Sequence, residues 1–132
     1  RALYEQAERI ALNGRHREAI KLLKSLLAKH PDHTHSALRI AELFDKELQD
    51  YPNAALHYEQ LLAMKLHPER WGWAAIRLAN LYSGKLGRPD AALELIQRLA
   101  AEHPGTQAGA KALKRLAKIS SAGLDPEAGK EL

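Results

Sequence analysis

The sequence predicts an all-α fold, a solenoid of stacked helical hairpins. Three observations lead there. Nearly the same segment is written twice, as PNAALHYEQLLAMKLHP at 52–68 and PDAALELIQRLAAEHP at 89–104. Apolar residues recur at helical spacing, as in Ala91, Ala92, Leu95, Ile96 and Leu99. Strand formers are scarce, and Val is absent altogether.

The similarity extends upstream of the quoted segments. ALRIAELFDKELQD (37–50) aligns with AIRLANLYSGKLGR (75–88), with Tyr51 left over as an insertion before PNAAL. Twelve of the 26 aligned pairs are identical, and others exchange one apolar residue for another, as in Phe44/Tyr82. A weaker copy, QAERIALNGRHREAIKLLKSLLAKHP, precedes them at 6–31. Each copy holds two apolar stripes of helical period, so the unit is a helix–turn–helix of roughly 34–38 residues. One hairpin cannot bury its apolar face alone, but stacked neighbours can.

The turns carry their own signals. Gly14 and Gly87 suit left-handed backbone. Pro31, Pro68 and Pro104 are expected to end the second helices, which Pro cannot continue. His30, His67 and His103 precede those prolines. A His once per copy reads as a helix C-terminal residue that complements the helix dipole. The same reading is preferred to a metal site for the cluster His30, His33 and His35.

The residues resemble the tetratricopeptide repeat, whose motif is W-x2-L-G-x2-Y…A-x3-F…P. The third copy reads Ala75-x2-Leu78-Ala79-x2-Tyr82…Ala91-x3-Leu95…Pro104. The second reads Ala37-x2-Ile40-Ala41-x2-Phe44…Ala54-x3-Tyr58…Pro68, and the first Leu3-x2-Gln6-Ala7-x2-Ile10…Ala19-x3-Leu23…Pro31. Gln6 departs from the apolar pattern. The small residues Ala7, Ala41 and Ala79 on first helices, with Ala19, Ala54 and Ala91 on second helices, would let paired helices approach closely.

Leu113-x2-Leu116-Ala117 repeats the first-helix pattern with no second helix after it, as a terminal cap would. The expected organisation is a solenoid over 1–120, with repeats at about 1–33, 34–70 and 71–105 and a cap helix at 106–120. That makes about seven helices, and the resemblance implies a right-handed superhelix. Residues 121–132 are expected to be a flexible tail. The chain begins at Arg1 and reads as a piece of a longer protein.

The resemblance also implies a function: a concave groove that receives an extended or helical segment of a partner protein. By its register the groove-lining residues are Tyr4, Glu8, Leu12, Leu38, Glu42, Asp45, Lys46, Trp73, Ile76, Asn80 and Ser83. Of the two tryptophans in RWGW (70–73), Trp73 is placed in the groove and Trp71 against the preceding second helix. The partner's identity is open. A rival reading is an assembly module that packs against its own longer chain, which could be membrane-anchored, or against a second copy.

Charge and chemistry speak against other classes. The formal net charge of +4 resides in residues 106–120, where Lys111, Lys114, Arg115 and Lys118 meet no acid. Arg17, Lys21 and Lys24 form a second basic ridge. Neither segment contains an aromatic residue, whereas a nucleic-acid surface interleaves cations with stacking rings. No nucleic-acid partner is therefore expected, and a nucleic-acid accessory surface stands only as a further rival reading. The apolar runs are short, so no segment is expected to insert into a membrane. There is no Cys, no G-x-S-x-G, no H-E-x-x-H and no glycine-rich phosphate loop. The reading is of a non-catalytic chain with no cofactor and no metal.

Overall fold

The computed structural model describes residues 2–124. Among them are seven α-helices and no strand: α1 (Ala2–Leu12), α2 (His16–Lys29), α3 (Thr34–Glu42), α4 (Tyr51–Leu62), α5 (Pro68–Ser83), α6 (Pro89–Glu102) and α7 (Gln107–Leu124). A π-helical segment, Leu43–Glu47, continues α3. The chain divides into two compact units, residues 1–66 and 67–132.

The first unit contains two hairpins, α1–α2 and α3–α4, with α2 also packed on α3. The second contains the hairpin α5–α6, with α7 packed on both helices. The second helix of a hairpin thus receives the next first helix in each unit. Ala7, Ala19, Ala41, Ala54, Ala75 and Ala79 are fully buried. Their small side chains let the backbones come close, while Leu23, Ile40, Leu78, Ile96 and Leu99 fill the space between. Burying each of these larger side chains stabilises by about 1.5–3 kcal/mol.

Hydrogen bonding sets a register that differs from the one identity suggests. The N–H of Ala54 bonds to the carbonyl of Asp50, and that of Ala92 to Arg88, so Ala54 matches Ala92. The two copies then keep one spacing throughout, and Tyr51 is no insertion. It occupies the first position of α4, as Pro89 does in α6. Pro52 sits one position later. Both sites lie in the first helical turn, where a backbone N–H has no partner to lose, so Pro is tolerated at either. This corrects Ala91 as well: it is only half-buried, and Ala92 lies in the close helix contact.

The extra residue of the second copy relative to the first lies between its helices. There the N–H of Leu48 reaches the carbonyl of Leu43, five residues back, in the π segment. Leu86 does the same to Leu81 in the third copy. Positive φ follows at equivalent sites, Gln49 (50°) and Gly87 (59°), with Gly14 (83°) in the first copy. Glycine fits two of the three without strain, and Gln49 adopts left-handed backbone without that advantage.

Two of the three His-Pro pairs stand where expected. His30 and His103 cap the C-termini of α2 and α6. His67 does not: α4 ends at Leu62, and His67 is the N-cap of α5, its Nδ1 accepting from the N–H of Glu69. Pro68 therefore starts a helix rather than ending one.

The cap helix also differs from expectation. Its buried residues are Thr106, Ala108, Gly109 and Ala112, while Leu113 and Ala117 are exposed and Leu116 is half-buried. Small residues win this interface because α7 lies very close to its neighbours. A Cβ on Gly109 would collide with the His103 carbonyl oxygen, and one on Gly72 would fall 2.6 Å from the Cβ of Ala108. Helix α7 runs on to Leu124, so residues 121–124 of the expected tail are helical; residues 125–132 lie outside the described residues.

Candidate functional site

First helices carry the residues that the sequence assigns to binding, and each unit presents its own set. In the first unit, α1 contributes Tyr4, Glu8 and Leu12, and α3 contributes Leu38 and Glu42. Arg39 of α3 ties them together. Its Nε donates to Glu8 Oε1 at 2.6 Å, and its Nη1 lies 4.0 Å from Glu42 Oε1. Tyr4 packs against the rings of His33 and His35. Burial, and then the Glu8 carboxylate, raise the Tyr4 phenol above its ordinary 10. Glu8 is thus already engaged within the fold. Leu12 is 83% exposed at the C-terminal end of α1.

Asp45 and Lys46 part company in the π segment. Lys46 is exposed. Asp45 is only 2% exposed, and its Oδ2 accepts a 2.9 Å hydrogen bond from the Tyr58 hydroxyl. A side chain so buried does not line a groove, and Asp45 is withdrawn from the binding set. The third copy closes its turn with the same five-residue hydrogen bond and yet exposes Ser83, so what differs is the partner: the Tyr58 hydroxyl meets the buried carboxylate, where the third copy has Ile96.

In the second unit, Trp73, Ile76, Asn80 and Ser83 of α5 face α7. Trp73 is 42% exposed, in contrast to Trp71, which is buried. Trp71 packs on α6 and its C-cap, with the His103 ring centroid at 5.1 Å and the Arg98 guanidinium at 4.9 Å. These contacts belong to the second helix of its own hairpin, where the sequence predicts the preceding one.

Helix α7 brings cations to this face. The Lys111 ammonium lies 5.5 Å from the Trp73 ring centroid. Arg115 donates from Nη1 to Asn80 Oδ1 at 2.9 Å and from Nη2 to Ser83 Oγ at 3.5 Å. Between them is a cavity of about 170 Å³ lined by Ile76, Asn80, Ile96, Lys111, Ala112 and Arg115. The α5–α7 face therefore combines an exposed indole, an amide, a hydroxyl and two cations around a small part-apolar hollow.

Sequence reasoning missed Lys111 and Arg115. Their signal was the acid-free run 106–120, but with no aromatic nearby in sequence it read as a plain solvated ridge. The fold supplies the aromatic from another helix. Lys24 gains one the same way, 5.8 Å from the Phe44 ring centroid.

Among the described residues, no group of three or more His, Cys, Asp or Glu could hold a metal ion. No helix there is long and apolar enough to cross a membrane. A family model described as Tetratricopeptide repeat matches residues 1–33 and 73–106, together just over half of the chain. It covers the first copy, the one that internal comparison finds weakest, and most of the third. No curated protein matches the chain.

Proposed function

Because the chain belongs to the tetratricopeptide repeat family, we propose that it is a non-catalytic module that binds a segment of a partner protein on the α5–α7 face. Repeats of this family are generally protein–protein interaction modules and typically non-enzymatic. The observation that carries the reading is Trp73. A large ring left 42% exposed, with Ile76 and Asn80 beside it, has the make-up of an interface anchor: apolar area with polar groups that fix orientation.

The test compares the chain with its Trp73→Ala variant in capture of partner proteins. Loss of such an anchor removes over about 2 kcal/mol, or roughly thirtyfold in affinity. Capture should therefore nearly vanish while helicity by circular dichroism stays unchanged. Capture of the same proteins to the same extent by Trp73→Ala would sink the proposal. Its second arm is fluorescence quenching in a Trp71→Phe background, where the remaining indole should be open to an aqueous quencher.

A further inference from the structure

We infer that Asn13 is a site of spontaneous modification: the backbone nitrogen of Gly14 displaces its side-chain amide, and the isoaspartate that results loosens the turn of the first hairpin. The chain has three asparagines, Asn13, Asn53 and Asn80, and Asn13 alone precedes a glycine. It lies between α1 and α2 and is exposed. Among the described residues its side chain has no hydrogen-bond partner. The other two are held. Asn53 donates from Nδ2 to Asp50 Oδ2 at 2.7 Å in the first turn of α4, and Asn80 Oδ1 on α5 accepts from Arg115 at 2.9 Å.

The reaction closes a five-membered ring. The Gly14 nitrogen bonds to Cγ of Asn13, the Cγ–Nδ2 bond breaks, and ammonia leaves with the proton that the Gly14 N–H gives up. Base promotes the loss of that proton. Water then opens the cyclic imide. Addition at Cγ breaks the new bond and yields aspartate. Addition at the main-chain carbonyl carbon breaks the original peptide bond and yields isoaspartate, whose backbone runs on through Cβ and Cγ. The sum is amide plus water to carboxylic acid plus ammonia, with water as the one co-reactant.

Glycine leaves the attacking nitrogen unshielded, since it carries no Cβ beside it, and no atom lies within 4 Å of where that Cβ would stand on Gly14. The obstacle is order. The Gly14 N–H donates to the Ala11 carbonyl at 2.9 Å, and the Asn13 N–H to those of Arg9 and Ile10 at 3.2 Å. These are the last bonds of α1, and helix ends fray. At the other two sites the attacking nitrogen would be that of Ala54 or Leu81, both buried within helices and both carrying a Cβ. The two products then differ in effect. Aspartate keeps the backbone and sets a negative charge just ahead of α2, whose N-cap Arg15 makes no side-chain cap bond; the positive end of the helix favours it. Isoaspartate adds a methylene to the main chain where Gly14 bonds back to Ala11 and Arg15 to Ile10, and displaces both bonds.

The test ages the whole folded chain in mildly alkaline buffer and maps its peptides by mass spectrometry, with fragmentation that tells isoaspartate from aspartate. The amide should be lost at Asn13 and kept at Asn53 and Asn80, with isoaspartate the larger product. Asn13→Gln exchanges an exposed side chain for a longer amide that would have to close a six-membered ring. This variant should age without change at that position. The isoaspartate form, separated by charge from the parent and then from its aspartate isomer, should unfold at lower urea than the fresh chain, whereas Asn13→Asp should not. Retention of the Asn13 amide in the folded chain, with loss only once the chain is unfolded, would show that the turn protects it and overturn the inference. Equal loss at all three asparagines would overturn it as well, because the turn would then select nothing. An isoaspartate form with the urea midpoint of the fresh chain would overturn the loosening of the hairpin.

Discussion

The phenol of Tyr58 donates a 2.9 Å hydrogen bond to the buried carboxylate of Asp45 across the α3–α4 hairpin. The pair is exchanged as a unit between copies. At the equivalent positions of the third copy stand Ser83 and Ile96: with no phenol to donate, there is no buried acid to accept. Ser83 instead is exposed and meets Arg115. Removing one partner alone strands part of a buried carboxylate's hydrogen bonding. Tyr58→Phe should therefore destabilise the first unit by about 1–3 kcal/mol in urea unfolding. An unchanged midpoint would mean that the carboxylate finds an equal partner elsewhere.

That pair also shows where sequence reading stops. The hairpins were legible because their signals are local: helical periodicity, Gly14 and Gly87 at the turns, and small Ala residues on the contact faces. Register was not. Identity aligned Pro52 with Pro89, yet the first turn of a helix accepts Pro at more than one position, so proline does not fix register. Asp45 turns inward to meet Tyr58, a partner remote in sequence, whereas its counterpart Ser83, in a copy with Ile96 instead of the phenol, faces out as the family pattern has it. On α7, Leu113 and Leu116 looked like the core, but Gly72 and Gly109 bring the helices too close for Leu, and alanines fill the contact. Trp73 was legible as an exposed ring. Its cationic neighbours were not, because they come from a helix 38 and more residues away.

His57 makes the first unit sensitive to acid. Its ring stacks on Phe44 with centroids 5.3 Å apart. Burial, and next the Lys24 charge, lower its pKa below the ordinary 6.5, while a hydrogen bond with Gln60 partly offsets them. The unfolded chain thus binds this proton more readily than the folded one. The stabilising contribution is complete above pH 6.5 and is lost as the pH falls from there through the depressed value. Denaturation midpoints should decline over that window. His57→Leu, which installs the third copy's Leu95, should flatten the decline; an unchanged slope would place the acid sensitivity elsewhere.

Gly109 should be intolerant of any side chain. Its N–H bonds to Thr106 Oγ1 at 2.9 Å, and a Cβ there would collide with the backbone carbonyl of His103 rather than with a movable side chain. Gly109→Ala should cost at least about 1–3 kcal/mol, since α7 must shift as a body to admit the methyl group. Gly105 is the control: a methyl group there would meet no atom within 4 Å, and its φ is not positive. Gly105→Ala should be neutral in the same thermal unfolding experiment. Equal effects at the two sites would contradict the tight seating of α7.

Two registers for α7 can be told apart by substitution. The repeat motif places Leu113 at the packed position, whereas the fold buries its neighbour Ala112, which is 1% exposed against 48% for Leu113. Ala112 lies beside the cavity lined by Ile76 and Ile96 but is itself closely surrounded. Ala112→Leu therefore adds bulk at a filled contact, and overpacking of this kind costs about 1–3 kcal/mol. Leu113→Ala removes a half-exposed side chain and should change stability by no more than about 0.5 kcal/mol. Thermal unfolding of both variants, followed by Trp fluorescence, reads this directly. A large loss with Leu113→Ala and none with Ala112→Leu would restore the motif's register and turn the Lys111–Arg115 stripe away from Trp73.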